Sequence, residues 1–143
     1  MDLGALYEEV ILDHNRSPRN WGEIPDATRR VQGTNPLCGD RLTLTLRMDG
    51  DTISDVRFVG EGCAISKASA SMMTQAVKGK TRTEAEALFE GFHNLVTGKV
   101  GDAPPDTSLG SLRAFAGVSR FPTRVKCATM AWHALKEGMR NGK

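Results

Sequence analysis

Long apolar runs are missing from this 143-residue chain. None approaches the roughly 18 consecutive residues that a bilayer-crossing helix requires, so no membrane association is expected. A strong charge of one sign is missing too. Nineteen Lys and Arg stand against 17 Asp and Glu, a formal net charge of +2. The basic residues are scattered, with no stripe longer than the pair Arg29-Arg30, and nucleic-acid binding is not expected. The opening Met1-Asp2 is followed by neither the basic region nor the apolar stretch of a signal peptide, which points to a chain that is not exported. There is no internal repeat and no low-complexity tract. Cysteine is scarce, with three residues in all. An odd number in an unexported chain cannot all pair as disulfides and points to a reducing compartment, where thiols serve metals or chemistry. A cytoplasmic location is the expectation.

What is present is an ordinary globular composition, 39% hydrophobic and 25% charged. The length suits one domain over residues 1–143, with a core large enough to need no staples. Leu3, Leu6, Tyr7, Val10 and Ile11 at helical spacing predict an amphipathic helix over residues 3–14, ended before Ser17-Pro18. Pro18, Gly22 and Pro25 mark a loop over 16–26, and a short strand is expected near Thr28–Gly33. From Arg41 to Met48 the alternation is strict: Leu42, Leu44, Leu46 and Met48 on one face, Thr43, Thr45 and Arg47 on the other. Asp49-Gly50-Asp51 then turns the chain into a second strand, Thr52 to Val59, with Val56 and Phe58 on one face.

Beyond Gly60 the period changes. Ile65, Ala68, Met72, Met73, Ala76 and Val77 predict a helix stopped by Gly79. Thr81 and Glu84 form a capping box for a following helix that should bury Leu88, Phe92 and Leu95. Residues 98–105 read as loop, and Leu109, Leu112 and Phe115 as a short helix broken near Gly117. Val125, Ala128, Trp132, Leu135 and Met139 form one stripe of a long helix from Arg124 to Arg140. The order predicts an α+β fold, a small antiparallel sheet of about three strands with helices packed on one face.

The three cysteines stand in three short motifs: Asn35-Pro36-Leu37-Cys38-Gly39-Asp40, Glu61-Gly62-Cys63-Ala64-Ile65-Ser66 and Arg124-Val125-Lys126-Cys127-Ala128. Cys38 lies in a loop that Pro36 stiffens and Gly39 frees to bend, so Asp40 can fold its carboxylate toward the same point. Cys63 falls at the start of a helix, whose partial positive charge favours a thiolate, and Cys127 falls in the first turn or two of another. All three therefore sit at element ends, where access is easiest. Gathered together, Cys38, Asp40, Cys63 and Cys127 would close a tetrahedral zinc site or hold an iron–sulfur cluster. Taken singly, each cysteine also reads as a small buried hydrophobe, and Asp40 as a turn former.

The other candidates read as structural. His14 and His93 lie on charge-rich helical segments and are expected on the surface. His133, six residues after Cys127, sits about 240° around the helix and faces away from that thiol. Met72 and Met73 read as core filler, and Ser66, Ser69 and Ser71 as small residues permitting close helix packing. Arg124 and Lys126 either steer acidic groups toward the site or form a solvated helix end.

Together the motifs resemble the U-type iron–sulfur cluster assembly proteins, the family of IscU, SufU and the N-terminal part of NifU. Pro36-Leu37-Cys38-Gly39-Asp40, the run Gly62 to Ser69 with Ser71, and Leu6-Tyr7 through His14 with Ser17-Pro18-Arg19-Asn20 carry the resemblance over nearly the whole chain. Lys126 stands where cluster-building IscU scaffolds carry a histidine, and a protonated lysine has no lone pair for a metal. Arg124-Val125-Lys126-Cys127 and the long stretch Gly98–Pro122 resemble SufU instead. That resemblance implies a zinc-bound sulfur acceptor, with Cys38, Asp40, Cys63 and Cys127 as ligands and Cys38 taking persulfide sulfur from a SufS-like cysteine desulfurase. Downstream cluster assembly or acceptor proteins would be further partners. The alternative is an IscU-type scaffold on which a transient [2Fe-2S] cluster is built from iron and passed on. A third reading, a zinc domain that only docks to partners, would give Cys38 no turnover.

Overall fold

The structure, a computed structural model, describes residues 3–35, 39–97, 112, 115, 118 and 122–140. Among them the chain runs α1 (Leu3–Arg16), β1 (Arg29–Asn35), β2 (Asp40–Asp49), β3 (Thr52–Glu61), α2 (Ala64–Val77), α3 (Arg82–Thr97) and α4 (Pro122–Arg140). The strands form one antiparallel sheet in the order β1-β2-β3. This is the expected α+β architecture.

The hairpin between β2 and β3 turns at Gly50, whose φ of +63° is a conformation that other residues adopt only with strain. Leu44 faces Phe58 and Leu46 faces Val56 across the ladder, and all four are buried. A bulge beside Met48 leaves Ser54 out of the pairing. That extra residue restores the phase, so Ile53 turns to the same buried face as Val56 and Phe58. Strand β1 ends at Asn35 rather than Gly33, because its pairing with β2 continues to the rung Asn35–Asp40. The other face is not wholly exposed. Thr45 is buried, and its hydroxyl accepts the Ile24 backbone N–H at 3.1 Å from the preceding loop.

Helix α4 packs on β1 and β2, and α2 on β3; α1 lies against α2 and α3 against α4. Burying the apolar face of the sheet against two helices supplies the main stabilising term, at roughly 25 cal/mol per Å² of apolar surface. Met72 and Met73 are core residues, and the stripe Ala128, Trp132, Leu135 and Met139 is buried. The capping box forms as expected. The Thr81 N–H donates to Glu84 Oε1 at 3.0 Å, and the Glu84 N–H to Thr81 Oγ1 at 3.2 Å.

The buried face of α3 differs from the expectation. Ala85, Phe89, Phe92 and Val96 are buried, whereas Leu88 and Leu95 are half-buried at its flank. The reason is aromatic packing: Phe92 stacks on Trp132 at 4.8 Å and meets Phe115 edge-on at 5.5 Å. The short helix expected through Leu109 and Gly117 lies largely outside the described residues; Leu112, Phe115 and Val118 are buried.

His14 is a second correction. It is 5% exposed, because it follows Ile11 by one helical turn on the stripe that faces α2. Its Nδ1 lies 2.7 Å from Ser71 Oγ, which also accepts the Arg19 backbone N–H at 2.8 Å. Ser71 thus joins the imidazole of α1 and the loop after it at one buried point. Burial foremost, and the nearby Arg19 cation, push the His14 pKa below its ordinary value, against a smaller opposing pull from Asp13. The serines of α2 do more than leave space. Ser69 Oγ donates to the Ala128 carbonyl at 2.5 Å, tying α2 to α4. Asn20 Nδ2 donates to Thr74 Oγ1 at 3.0 Å, so the loop after α1 is held to the same helix. Among the described residues no helix is long and apolar enough to cross a membrane.

Candidate metal centre

Three elements meet at one end of the sheet. Asp40 opens β2, Cys63 is the residue that caps the start of α2, and Cys127 lies in the second turn of α4. Gly39 has the positive φ (+70°) that its place in the motif called for. Asp40 is 1% exposed. Its Oδ1 accepts the Cys63 backbone N–H at 2.9 Å, and its Oδ2 lies 4.0 Å from Cys63 Sγ. The carboxylate therefore satisfies one of the orphan donors at the start of α2. The Cys63 side chain makes no capping bond of its own, which leaves its sulfur uncommitted to the helix.

Asp40, Cys63 and Cys127 each offer one ligand atom, and these atoms lie within 4.8 Å of one another. Around a tetrahedral zinc, with bonds of about 2.3 Å to sulfur and 2.0–2.2 Å to oxygen, donor atoms stand about 3.5–3.8 Å apart, so binding needs the three to close in by roughly 1 Å at most. Two thiols and a carboxylate in such an arrangement fit zinc. Cys38, the fourth candidate, lies outside the described residues, in the short connection between β1 and β2.

The expectation that all the thiols sit at accessible ends needs correction. Cys127 is 2% exposed and Cys63 is half-buried. The second turn of α4 is drawn beneath the surface by its packing on α2, which the Ser69–Ala128 hydrogen bond closes. Arg124 and Lys126 on the same turns are exposed. His133 is exposed, packs edge-on against Phe89 at 5.4 Å, and belongs to no ligand cluster among the described residues. His93 is half-buried and stacks on Phe89 at 5.9 Å.

Gly62 is shaped by the site. A Cβ there would collide with Asp40 Oδ1 and stand 2.7 Å from Ser66 Oγ and 2.9 Å from Asp40 Cγ. Asn35 is the site residue that sequence reasoning missed. It is 6% exposed and its Nδ2 lies 3.6 Å from Cys127 Sγ. Its place directly before Pro36 in the first motif was the available signal, but the strand that delivers it was expected to stop short.

Comparison with known proteins agrees with this picture. Residues 6–141 match the family described as NifU-like N terminal domain. The chain is 49% identical over 138 residues to the zinc-dependent sulfurtransferase SufU of Bacillus subtilis strain 168, covering 96% of this chain and 92% of that one. It is 46% identical over 138 residues to the iron-sulfur cluster assembly scaffold protein IscU of Streptococcus pyogenes serotype M1, covering 96% and 85%. Among solved structures, a candidate iron-sulfur cluster assembly scaffold for the SUF system from Fervidobacterium islandicum AW-1 superposes with a TM-score of 0.85 at 35% identity, over 94% of this chain and 97% of that one. The cysteine motifs, the three-stranded sheet and the gathered Asp40, Cys63 and Cys127 thus converge, and the chain belongs to the NifU-like N-terminal domain family.

Proposed function

We propose that this protein is a zinc-bound sulfur acceptor in iron–sulfur cluster assembly, taking sulfur from the persulfide of a SufS-like cysteine desulfurase and passing it to downstream assembly proteins. The observation that carries the reading is the meeting of Asp40, Cys63 and Cys127 from three separate elements, in a chain similar to a zinc-dependent sulfurtransferase. In this reading Cys38 completes the ligand set and is the acceptor. Zinc, when bound, keeps its thiolates deprotonated at neutral pH.

The protein's own residues divide the work. Cys63 and Cys127 ride on packed helices and hold position, and Asp40 is anchored by the Cys63 N–H. Cys38 falls in sequence between Asn35, the end of β1, and Asp40, the start of β2, and so belongs to neither of the helices that bear on Cys63 and Cys127. Its thiolate attacks the outer sulfur of the partner's persulfide. The S–S bond breaks, the partner's cysteine leaves as a thiolate, and Cys38 carries the persulfide. Exposed Arg124 and Lys126 place positive charge on the same turns as Cys127, suited to an acidic partner surface.

The names of the Streptococcus and Fervidobacterium relatives support a second reading, a scaffold for iron–sulfur cluster assembly; Lys126 counts against it. The test is metal content and visible spectrum of protein purified without oxygen, followed by desulfurase activation. About one zinc per chain in a colourless solution, and a Cys38→Ala variant that keeps some zinc but accepts no sulfur, are expected. Iron with sulfide and visible absorbance would favour the scaffold, and normal sulfur uptake by Cys38→Ala would remove that residue from the role.

A further inference from the structure

We propose that Asn35 is a positioning residue of the metal centre: its side-chain amide donates to Cys127 Sγ and fixes that sulfur as a holding ligand rather than a reacting one. This rests on the metal-site reading above. Asn35 ends β1 and pairs directly with Asp40 at the start of β2. One rung of the sheet therefore carries both a candidate ligand and the amide that faces another. The Nδ2 to Sγ distance is 3.6 Å, within reach of a hydrogen bond to sulfur, and both groups are buried. An amide NH₂ can only donate, so the sulfur opposite must accept, a part that a thiolate fills well.

The two ligand sulfurs are therefore unlike. Cys127 Sγ faces an N–H, whereas Cys63 Sγ faces a carboxylate oxygen, Asp40 Oδ2, at 4.0 Å. A hydrogen bond from nitrogen withdraws charge from sulfur, and a less basic sulfur is a weaker nucleophile. Cys127 is thus both shielded and electronically quieted, which turns sulfur chemistry away from it. Outer partners of this kind orient metal ligands, and losing one typically costs about 10–100-fold in metal affinity.

The test compares the full-length protein with Asn35→Leu, close in shape but without a donor, after cobalt(II) substitution and by zinc competition with a chelator. In the folded variant the sulfur-to-cobalt charge-transfer band is expected at longer wavelength and zinc affinity about tenfold lower. A purely space-filling Asn35 would leave the band where it is. Should Asn35→Leu fail to give a native circular dichroism spectrum, Asn35→Gln, which moves the amide by one methylene, reads the same band. A folded variant with unaltered band and affinity would overturn the role of Asn35 and leave the metal site standing. Failure of the unsubstituted protein to take up either metal would overturn the metal reading and this inference with it.

Discussion

Gly62→Ala places one methyl group against the centre of the site and so tests its construction. The new Cβ would collide with Asp40 Oδ1 and stand 2.7 Å from Ser66 Oγ and 2.9 Å from Asp40 Cγ. None of these atoms is the far end of a long, pliable side chain. Ser66 is held by its bond to the Cys63 carbonyl at 3.1 Å, and Asp40 by the Cys63 N–H at 2.9 Å. Overpacking of this kind costs about 1–3 kcal/mol. If instead the carboxylate swings away, most of the clash is relieved but a charge-assisted hydrogen bond worth about 1.5–3 kcal/mol is lost. A net loss of about 2–3 kcal/mol lowers the melting temperature by roughly 6–10 °C in a protein of this size. Zinc retention against a chelator should fall with it, because the displaced group is a proposed ligand. The control is Gly33→Ala, whose Cβ would meet its nearest neighbours at an ordinary 3.5 Å. A Gly62→Ala protein with the melting temperature and zinc retention of the parent would refute the close fit of Gly62, Asp40 and Cys63.

Three further outcomes are expected. His14 is buried and its pKa is lowered, so the folded state prefers the neutral ring. Its contribution is whole above the ordinary value of about 6.5 and is lost as pH falls through the lower folded value; denaturant titrations across pH 7.5 to 5 should show this decline, and His14→Gln should flatten it. Ser71→Ala strips partners from both His14 Nδ1 and the Arg19 N–H and should cost about 1–3 kcal/mol in denaturant unfolding; a loss below half of that would argue against this buried junction. Thr81→Ala removes the acceptor for the Glu84 N–H and should cost about 1 kcal/mol, with zinc binding untouched because α3 contributes none of the gathered ligands.

Much of this protein is written locally. Strict alternation over Leu42, Leu44 and Leu46 is enough to make β2 a strand with one buried face, since period two has no other solution. The Thr81–Glu84 pair is enough to start α3, since both bonds of a capping box join near neighbours in the chain. The motifs likewise carry their chemistry in residue type, three thiols and a carboxylate being the donor groups that zinc prefers. What the sequence could not decide was set by contacts between distant segments. His14 looks solvent-facing among its charged neighbours, and only the packing of α1 on α2 buries it against Ser71. The phase of α3 is chosen by Trp132, forty residues on from Phe92. Asn35 acquires a role only because β1 runs two residues further to pair with Asp40, which carries its amide to Cys127, 92 residues away. Sequence by itself determined which groups are available and which elements bear them. Tertiary structure decided which of those groups meet, because side chains far apart in the chain are brought together only by the packing of whole helices on a whole sheet.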